Sequence, residues 1–314
     1  MTRRIFGALA AVLAVVAVAP VPLGGQTSSK RPDAAKVPRT PDGRPDFQGY
    51  WTNATFIPLE RPAEFAGKSE MTDAEAIAYQ KKRELQENSQ SKEDIHYDNV
   101  LWQTESYSKG MLDRRTSLIF DPADGRMPPM TAEGKKRRDD AVAAMGRIPS
   151  GPEDRALQER CITYGSPSLV AGYQSAYEIV QSSNSVAFTM EMIHDTRVVS
   201  TDPHAHVGSP VRQWLGDSRG HWEGDTLVVD VTNFNAKGNY RGSGAGLHLT
   251  ERYKRTADGL RYEMTVEDPD TWARPWTAAL ELQPQLSGMF EYACHEGNYA
   301  MKNMLTASRA AEAR

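Results

Sequence analysis

The sequence predicts a mainly β protein: an antiparallel meander that forms a barrel or a strongly curved sheet, with peripheral helices in the N-terminal half and a C-terminal helix. Three observations lead to this prediction. From Ala176 onward the apolar residues recur with a period of two, which is typical of strands with one buried face. Short turn sequences separate these runs. The helix-forming segments lie before the runs or at the end of the chain.

Residues 1–26 have the pattern of a signal peptide. Arg3 and Arg4 precede an apolar run that ends at Pro20, Pro22 and small residues. The alternative is an N-terminal membrane anchor, because the run is nearly long enough to span a bilayer. We expect cleavage and export to the periplasm or the extracellular space, with no stable membrane insertion after processing.

The charge balance argues against a nucleic-acid partner. The 314 residues include 37 Lys and Arg against 41 Asp and Glu, a formal charge of -4. Removal of residues 1–26, which carry two arginines and no acid, takes the charge to -6. Binding of nucleic acid needs a basic face. We therefore expect a small-molecule ligand or substrate, and the sequence leaves the oligomeric state open.

Three segments follow the signal peptide. Residues 27–70 are rich in Pro and turn residues and predict an extended arm with an aromatic anchor at Trp51. Residues 71–175 predict a helical and turn-rich part packed on the barrel. Residues 176–314 predict the β-barrel domain with its C-terminal helix.

Local signals place the elements of the first part. Thr72 and Glu75 form a capping box that begins a helix ending at Asn88. The other predicted elements are helices from Thr131 to Met145, from Pro152 to Arg160 and within Glu296 to Arg314, and a strand from Arg115 to Asp121.

Eight strands are predicted in the barrel domain. They run from Tyr177 to Gln181, Ser185 to Ile193, Arg219 to Trp222, Thr226 to Phe234, Leu247 to Thr256, Leu260 to Glu267, Thr277 to Leu282 and Met289 to Cys294. A calycin-like barrel is the first expectation for such a meander. A two-sheet sandwich is the alternative, because alternation alone does not show closure.

The two cysteines, Cys161 and Cys294, predict a disulfide in an oxidising compartment. The bond would close a loop of 133 residues, worth about 4–5 kcal/mol in the chain-entropy account. It would tie a helical segment to the last strand. The alternative is a reactive thiol.

Several blocks of the sequence resemble a large, mainly uncharacterised family of exported bacterial proteins. The blocks are RQWLGDSR from Arg212, WEGDTLVV from Trp222, WARPW from Trp272 and EYACHEGNY from Glu291. The resemblance begins near Pro41 and runs to the end of the chain. It implies export and a shared fold, but it supplies no assigned catalytic residue. Hairpins such as Trp222 to Val229 also resemble those of calycin/lipocalin-like barrels.

Within the block from Met190 to Arg197 the resemblance falls on Glu191, His194 and Arg197, and further on it favours His206 over His204. Alternation places Glu191 among small and apolar neighbours on its strand. A carboxylate in such a position needs a partner.

Acid–base chemistry is the leading functional hypothesis, because His, Glu and Tyr supply the roles that proton transfer needs. His194 and His295 would act as general base and acid, and Glu191 or Asp195 would orient an imidazole. Tyr299 lies at the end of the same predicted last strand as His295. The alternative is that these groups form a structural network that determines strand register.

Five further residues are predicted to bind substrate. Arg197 or Arg252 would hold an anionic or carbonyl oxygen, and His248 shares one strand face with Arg252. Trp272 and Trp276 would give stacking walls, although Trp in an all-β protein also serves as core.

The residues predict no cofactor. The alternative is a divalent metal such as zinc, held by His194 and His206.

These residues lead to two functional hypotheses. The first is an exported enzyme of the lyase, isomerase or hydrolase type that binds a small, partly polar organic molecule in the barrel. The second is a non-catalytic periplasmic binding protein for a small apolar or aromatic ligand. The first depends on one geometric condition, that Glu191, His194, Arg197 and His295 meet in one sheltered hollow.

Overall fold

Alternating apolar residues produce strands whose buried faces share one core. The computed structural model describes residues 37–88, 113–165, 175–238 and 240–312, and these contain ten strands and three α-helices. The strands are β1 (Gly49–Thr52), β2 (Ile119–Asp121), β3 (Ala176–Gln181), β4 (Ser185–Met190), β5 (Thr196–Ser200), β6 (Asp217–Glu223), β7 (Thr226–Thr232), β8 (His248–Arg255), β9 (Leu260–Glu267) and β10 (Trp276–Pro284). The helices are α1 (Asp73–Asn88), α2 (Ala132–Met145) and α3 (Ala300–Glu312).

Nine of these strands close into a barrel, which confirms the predicted calycin-like architecture. The order is β1-β3-β4-β5-β6-β7-β8-β9-β10, and β1 pairs with β10. The pairings are antiparallel except that of β5 with β6, which meet in parallel at Ser200 and Arg219. A parallel pair needs a crossover connection, and the loop of residues 201–216 provides it.

The barrel closes at β10, whose free edge pairs with both β1 and β2. Trp51 and Thr52 of β1 pair with the end of β10, whereas β2 pairs with its beginning. Trp51 is only 3% exposed. The predicted aromatic anchor therefore belongs to a barrel strand, and its segment is not an extended arm throughout.

Three predicted elements are shorter in the structure. The strand predicted from Ser185 to Ile193 ends at Met190, and a 3-10 turn (Met192–His194) leads into β5. The helix predicted from Pro152 to Arg160 is a single 3-10 turn (Pro152–Asp154). The strand predicted from Arg115 begins only at Ile119, although Arg115 forms an isolated antiparallel bridge with Glu70.

The segment from Met289 to Cys294 alternates like a strand but is not one. Two of its amides donate to side chains instead of to a neighbouring strand. Phe290 N donates to Glu191 Oε1 at 3.0 Å, and Tyr292 N donates to His194 Nε2 at 3.1 Å. Backbone donors must find partners, and here two side chains supply them.

The predicted capping box of α1 and the predicted disulfide are both present in the structure. Thr72 and Glu75 form the predicted capping box of α1, with Thr72 N donating to Glu75 at 2.8 Å. Cys161 and Cys294 form the predicted disulfide, but it joins two loops and not a helix to a strand. Among the helices within the described ranges, none is both long and apolar enough to cross a membrane.

The barrel interior is filled with side chains. Trp276, Met264 and Leu280 are at most 1% exposed. Trp272 packs edge to face against Trp276, with ring centroids 5.8 Å apart. Such packing makes this interior a hydrophobic core and not a ligand cup.

Candidate functional site

Outward-facing side chains of four consecutive strands and one histidine of the crossover loop form a continuous chain of hydrogen bonds on the barrel surface. We call this chain the imidazole–carboxylate row. Its members are His206, Asp217, Asp230, His248 and Glu267.

Each imidazole of the row lies between two carboxylates. The Nδ1 atom of His206 is 2.8 Å from Asp217, and its Nε2 atom is 2.7 Å from Asp230. The Nδ1 atom of His248 is 3.0 Å from Glu267, and its Nε2 atom is 2.6 Å from the other oxygen of Asp230. Asp230 is therefore the shared partner of both Nε2 atoms.

Strand alternation brings these groups to one face. On β7, Val229 and Val231 are fully buried in the core, so Asp230 between them points outward. His248 and Glu267 are direct cross-strand partners on β8 and β9. His206 comes from the crossover loop. This loop is anchored to β6, because Val207 N donates to the Asp217 carboxylate at 3.0 Å.

The row runs from a buried end to an exposed end. The Asp217 side chain is 5% exposed and also pairs with Arg219 at 3.0 Å. The side chains of His206 and His248 are 27% and 34% exposed, and that of Asp230 is 41% exposed. A solute can reach the middle of the row, whereas Asp217 acts only through its neighbours.

Opposing effects determine the ionisation of Asp230. Partial burial alone would raise its pKa, but the hydrogen bonds from His248 and His206 outweigh this and lower the pKa of Asp230 below its usual value. The carboxylate at the centre of the row is thus held in its charged form.

Proton count and hydrogen bonding are coupled in the row. An ionised carboxylate only accepts hydrogen bonds, so a ring nitrogen that contacts one has to donate. A proton that passes from a ring nitrogen to its carboxylate leaves the hydrogen bond in place, with donor and acceptor exchanged.

No group of three or more His, Cys, Asp or Glu side chains is arranged to hold a metal ion within the described ranges. The two histidines that the sequence singled out for a metal have separate partners. His194 contacts the Tyr292 amide, whereas His206 contacts Asp217 and Asp230.

The residues predicted to be catalytic do not meet in one hollow. Glu191 is 5% exposed and accepts from the amides of Ala176 and Phe290. His194 is exposed and anchors the same C-terminal segment through Tyr292. His295 and Tyr299 are exposed, with Tyr299 67% accessible. Glu191 and His194 therefore act as anchors of residues 290–292.

Asp195 supports a different loop. It accepts from Thr163 Oγ1 at 2.6 Å and from Tyr164 N at 2.8 Å. Burial raises the pKa of Asp195, against the effect of these two hydrogen bonds. Its contacts hold residues 163–165 at the rim of the barrel.

Arg197 is sealed inside the barrel and cannot meet a substrate there. Its Nη1 atom donates to Glu251 at 2.6 Å, and its Nη2 atom donates to the Tyr253 hydroxyl at 3.1 Å. Tyr262 also donates to Glu251, at 2.7 Å. Burial, followed by the charge of Glu251, raises the pKa of both tyrosines well above its usual value, so both remain neutral hydroxyl donors.

Of the other residues predicted to bind substrate, only His248 belongs to the imidazole–carboxylate row. Arg252 lies on the outer face and pairs with Glu223 at 2.7 Å. Trp272 and Trp276 are 2% and 0% exposed and belong to the core, so neither forms a ligand wall.

Sequence reasoning missed the three carboxylates of the row. A signal for Asp230 is present, because it is the one charged residue in the apolar run from Thr226 to Phe234. Asp217 and Glu267 carry no comparable signal, since acids at strand ends are common in turns. Only pairing of the strands shows that the three lie together.

Comparisons of the chain with known protein families, with curated proteins and with solved structures found no match. The chemistry of the site therefore has to follow from its own geometry.

Proposed function

We propose that this protein is an exported enzyme that uses His and carboxylate side chains for acid–base chemistry on a small, partly polar organic molecule. The reaction would be of the lyase, isomerase or hydrolase type. The observation that carries the proposal is the shared contact of His206 and His248 with Asp230, each ring being oriented by a second carboxylate on its other nitrogen.

Carboxylate-oriented imidazoles are suited to proton transfer. A carboxylate on Nδ1 fixes the tautomer and orientation of the ring, so that Nε2 can give or take a proton at a defined position. Asp217 does this for His206 and Glu267 does it for His248. Asp230 contacts both Nε2 atoms and is itself partly exposed, so a substrate that displaces these contacts would meet two imidazole nitrogens that can exchange protons with it.

This location differs from the predicted one. The sequence hypothesis placed the substrate in the barrel interior, which the core and the Arg197–Glu251 pair occupy. The proposed reaction therefore takes place on the outer face of β6–β9, beneath the crossover loop that carries His206.

Export is part of the proposal. Residues 1–26 lie outside the described residues. The proposal that they direct export is supported by their signal-peptide pattern. The resemblance to the family of exported bacterial proteins points the same way. The disulfide also favours an oxidising compartment.

The test is a screen for turnover with matched variants. The panel contains activated esters, lactones, enolisable ketones and β-substituted carbonyl compounds. His206→Gln, His248→Gln and Asp230→Asn are compared with His221→Gln. The His221 side chain faces outward from β6, is 60% exposed and, within the described part of the chain, hydrogen-bonds to Glu223 alone.

We expect each of the three row variants to lower kcat/KM at least about a hundredfold, as loss of a general acid or base does. The His221 variant should keep the wild-type rate, and all four should keep the melting temperature within a few degrees. Equal losses in the His221 variant, or no turnover of any panel member by the wild type, would contradict the proposal.

A second candidate function has its own support. A cavity of about 200 Å³ at the barrel rim is walled in part by Trp214, Phe234 and Leu247. Such walls suit a non-catalytic protein that carries a small apolar or aromatic ligand. In that case a ligand would copurify with the protein and be released unchanged.

A further inference from the structure

The rim cavity has features that the row does not explain. It forms where the loop of residues 158–165, the end of the crossover loop and the β7–β8 connection meet. Its described lining includes Tyr164, Trp214, Phe234, Tyr240, Arg241 and Leu247.

The cavity has an apolar floor and aromatic walls. Phe234 and Leu247 are 4% and 3% exposed and belong to the core. Trp214 and Tyr240 are half-buried beside them. A floor of this kind accepts a flat or ring-shaped apolar body.

One charge lines the cavity. Among its described lining residues Arg241 is the single ionised side chain, and no Asp or Glu is present. Across the described ranges, no carboxylate forms an ion pair with Arg241 within 4.0 Å, and its guanidinium lies over the Tyr240 ring, 5.9 Å from the centroid. The nearby carboxylates of Asp195 and Asp268 do not line the cavity and already accept hydrogen bonds from the lining residues Tyr164 and Gly244.

The backbone at Arg241 is held in an unusual conformation. Its φ of 51° is left-handed, which costs energy in a residue other than glycine. The surrounding loop is anchored from several sides: Arg137 donates to Gly242 O at 3.1 Å, and Gly244 N donates to Asp268 at 3.1 Å. These contacts hold the backbone that follows Arg241, whose exposed side chain borders the cavity.

The opposite wall is fixed as well. Thr163 and Tyr164 are tied to Asp195, and the disulfide at Cys161 holds the same loop to Cys294. Hydrogen bonds and the disulfide thus hold both loops, and we expect little added ordering cost on binding.

We propose that the rim cavity binds a small organic monoanion, with its ring against Trp214 and Tyr240 and its carboxylate on Arg241. The volume of about 200 Å³ is below the range of roughly 300–1,000 Å³ for drug-sized ligands, which points to a single-ring compound. The proposal does not depend on the acid–base role of the row.

The state of Tyr240 agrees with this ligand class. Burial raises the pKa of Tyr240, against the opposing charge of Arg241. The hydroxyl therefore stays neutral and adds no repulsion toward an anion.

The experiment is calorimetric titration of the oxidised, processed chain with benzoate, benzamide and benzylamine. These probes share a ring and differ in charge. Arg241→Asn removes the charge while keeping a residue that tolerates the left-handed backbone, and Arg241→Lys keeps the charge. Arg252→Asn, on the outer face, is the matched control.

We expect benzoate to bind about tenfold more tightly than benzamide at low salt, with benzylamine weakest. Arg241→Asn should abolish this preference, Arg241→Lys should keep part of it, and Arg252→Asn should leave it unchanged. Added salt should weaken benzoate binding most.

Equal affinity for benzoate and benzamide, no binding of benzoate at millimolar concentration, or an unchanged preference in Arg241→Asn would overturn the proposal. None of these outcomes bears on turnover by the row, so failure here is distinguishable from failure of the proposed enzyme function.

Discussion

Arg197 on β5 and Glu251 on β8 form an ion pair through the barrel interior, with 2.6 Å between Nη1 and Oε2. Two strands separate β5 from β8 in the sheet. The side chains are 8% and 0% exposed. A buried charge is tolerated only when it is paired and hydrogen-bonded, so each of these residues depends on the other.

Loss of one partner should therefore destabilise the fold. We expect Glu251→Gln to lower the free energy of unfolding by about 3 kcal/mol or more, because it leaves the Arg197 charge buried without a counter-charge. Glu223→Gln, which breaks the exposed pair with Arg252, should cost less than about 1 kcal/mol. Urea unfolding of the oxidised protein measures both, and similar losses in the two variants would contradict the structural role of the interior pair.

Asp230 should make stability depend on pH in the acid range. Burial opposes its ionisation, but the hydrogen bonds from His248 and His206 lower its pKa. Its pKa is therefore lower in the folded chain than the value of about 3.9 expected when unfolded. The stabilisation is complete above about pH 4 and is lost as the pH falls through the folded pKa. We expect the unfolding free energy of Asp230→Asn to fall less steeply than that of the wild type between about pH 5 and pH 2, and parallel curves would argue against this coupling.

His194 should act as an anchor of the C-terminal segment. Its Nε2 atom accepts from Tyr292 N, and its φ of 55° is left-handed. His194→Asn keeps a residue that tolerates this backbone but is too short to reach Tyr292. We expect hydrogen exchange of the Tyr292 amide to become at least about tenfold faster, because its acceptor is lost. His204→Asn is the control, since the His204 ring contacts only nearby backbone, and unchanged exchange in His194→Asn would count against the anchor.

Gly134 should not tolerate alanine, although it lies inside a helix. In a free helix the change stabilises by up to about 1 kcal/mol. Here a Cβ would lie 2.7 Å from the backbone of Thr271, so α2 would have to move, at a cost of about 1–3 kcal/mol. Gly146→Ala, at the end of the same helix, meets nothing closer than 3.8 Å and should be neutral. A melting temperature raised by Gly134→Ala would show that the helix shifts freely.

Much of the fold could be predicted because its signals are local. The capping box at Thr72, the turn at Asp258-Gly259 and the alternation in β7 to β9 each depend on a few neighbouring residues. The same alternation correctly places Glu251 and Arg252 on opposite faces of β8. The disulfide was also predictable, since two cysteines allow one pairing within the chain.

The errors have a physical cause as well. The segment from Met289 to Cys294 has the alternation of a strand, but its amides bond to Glu191 and His194. Trp276 has the size of a ligand wall, but its neighbours bury it completely. Neither outcome is encoded in the segment itself, because each depends on which residues from distant parts of the chain contact that segment in the folded protein.

The sequence by itself determined the class of fold, the spacing of its strands and the covalent link between its loops, because hydrophobic periodicity, turn chemistry and cysteine content act within short stretches of chain. Tertiary structure alone decided that Asp217, Asp230 and Glu267 meet two imidazoles, and that Arg197 lies across from Glu251. Those contacts join strands through the register and curvature of the closed barrel, and hydrogen bonds at 2.6–3.0 Å depend on distances that no pattern of residue types specifies.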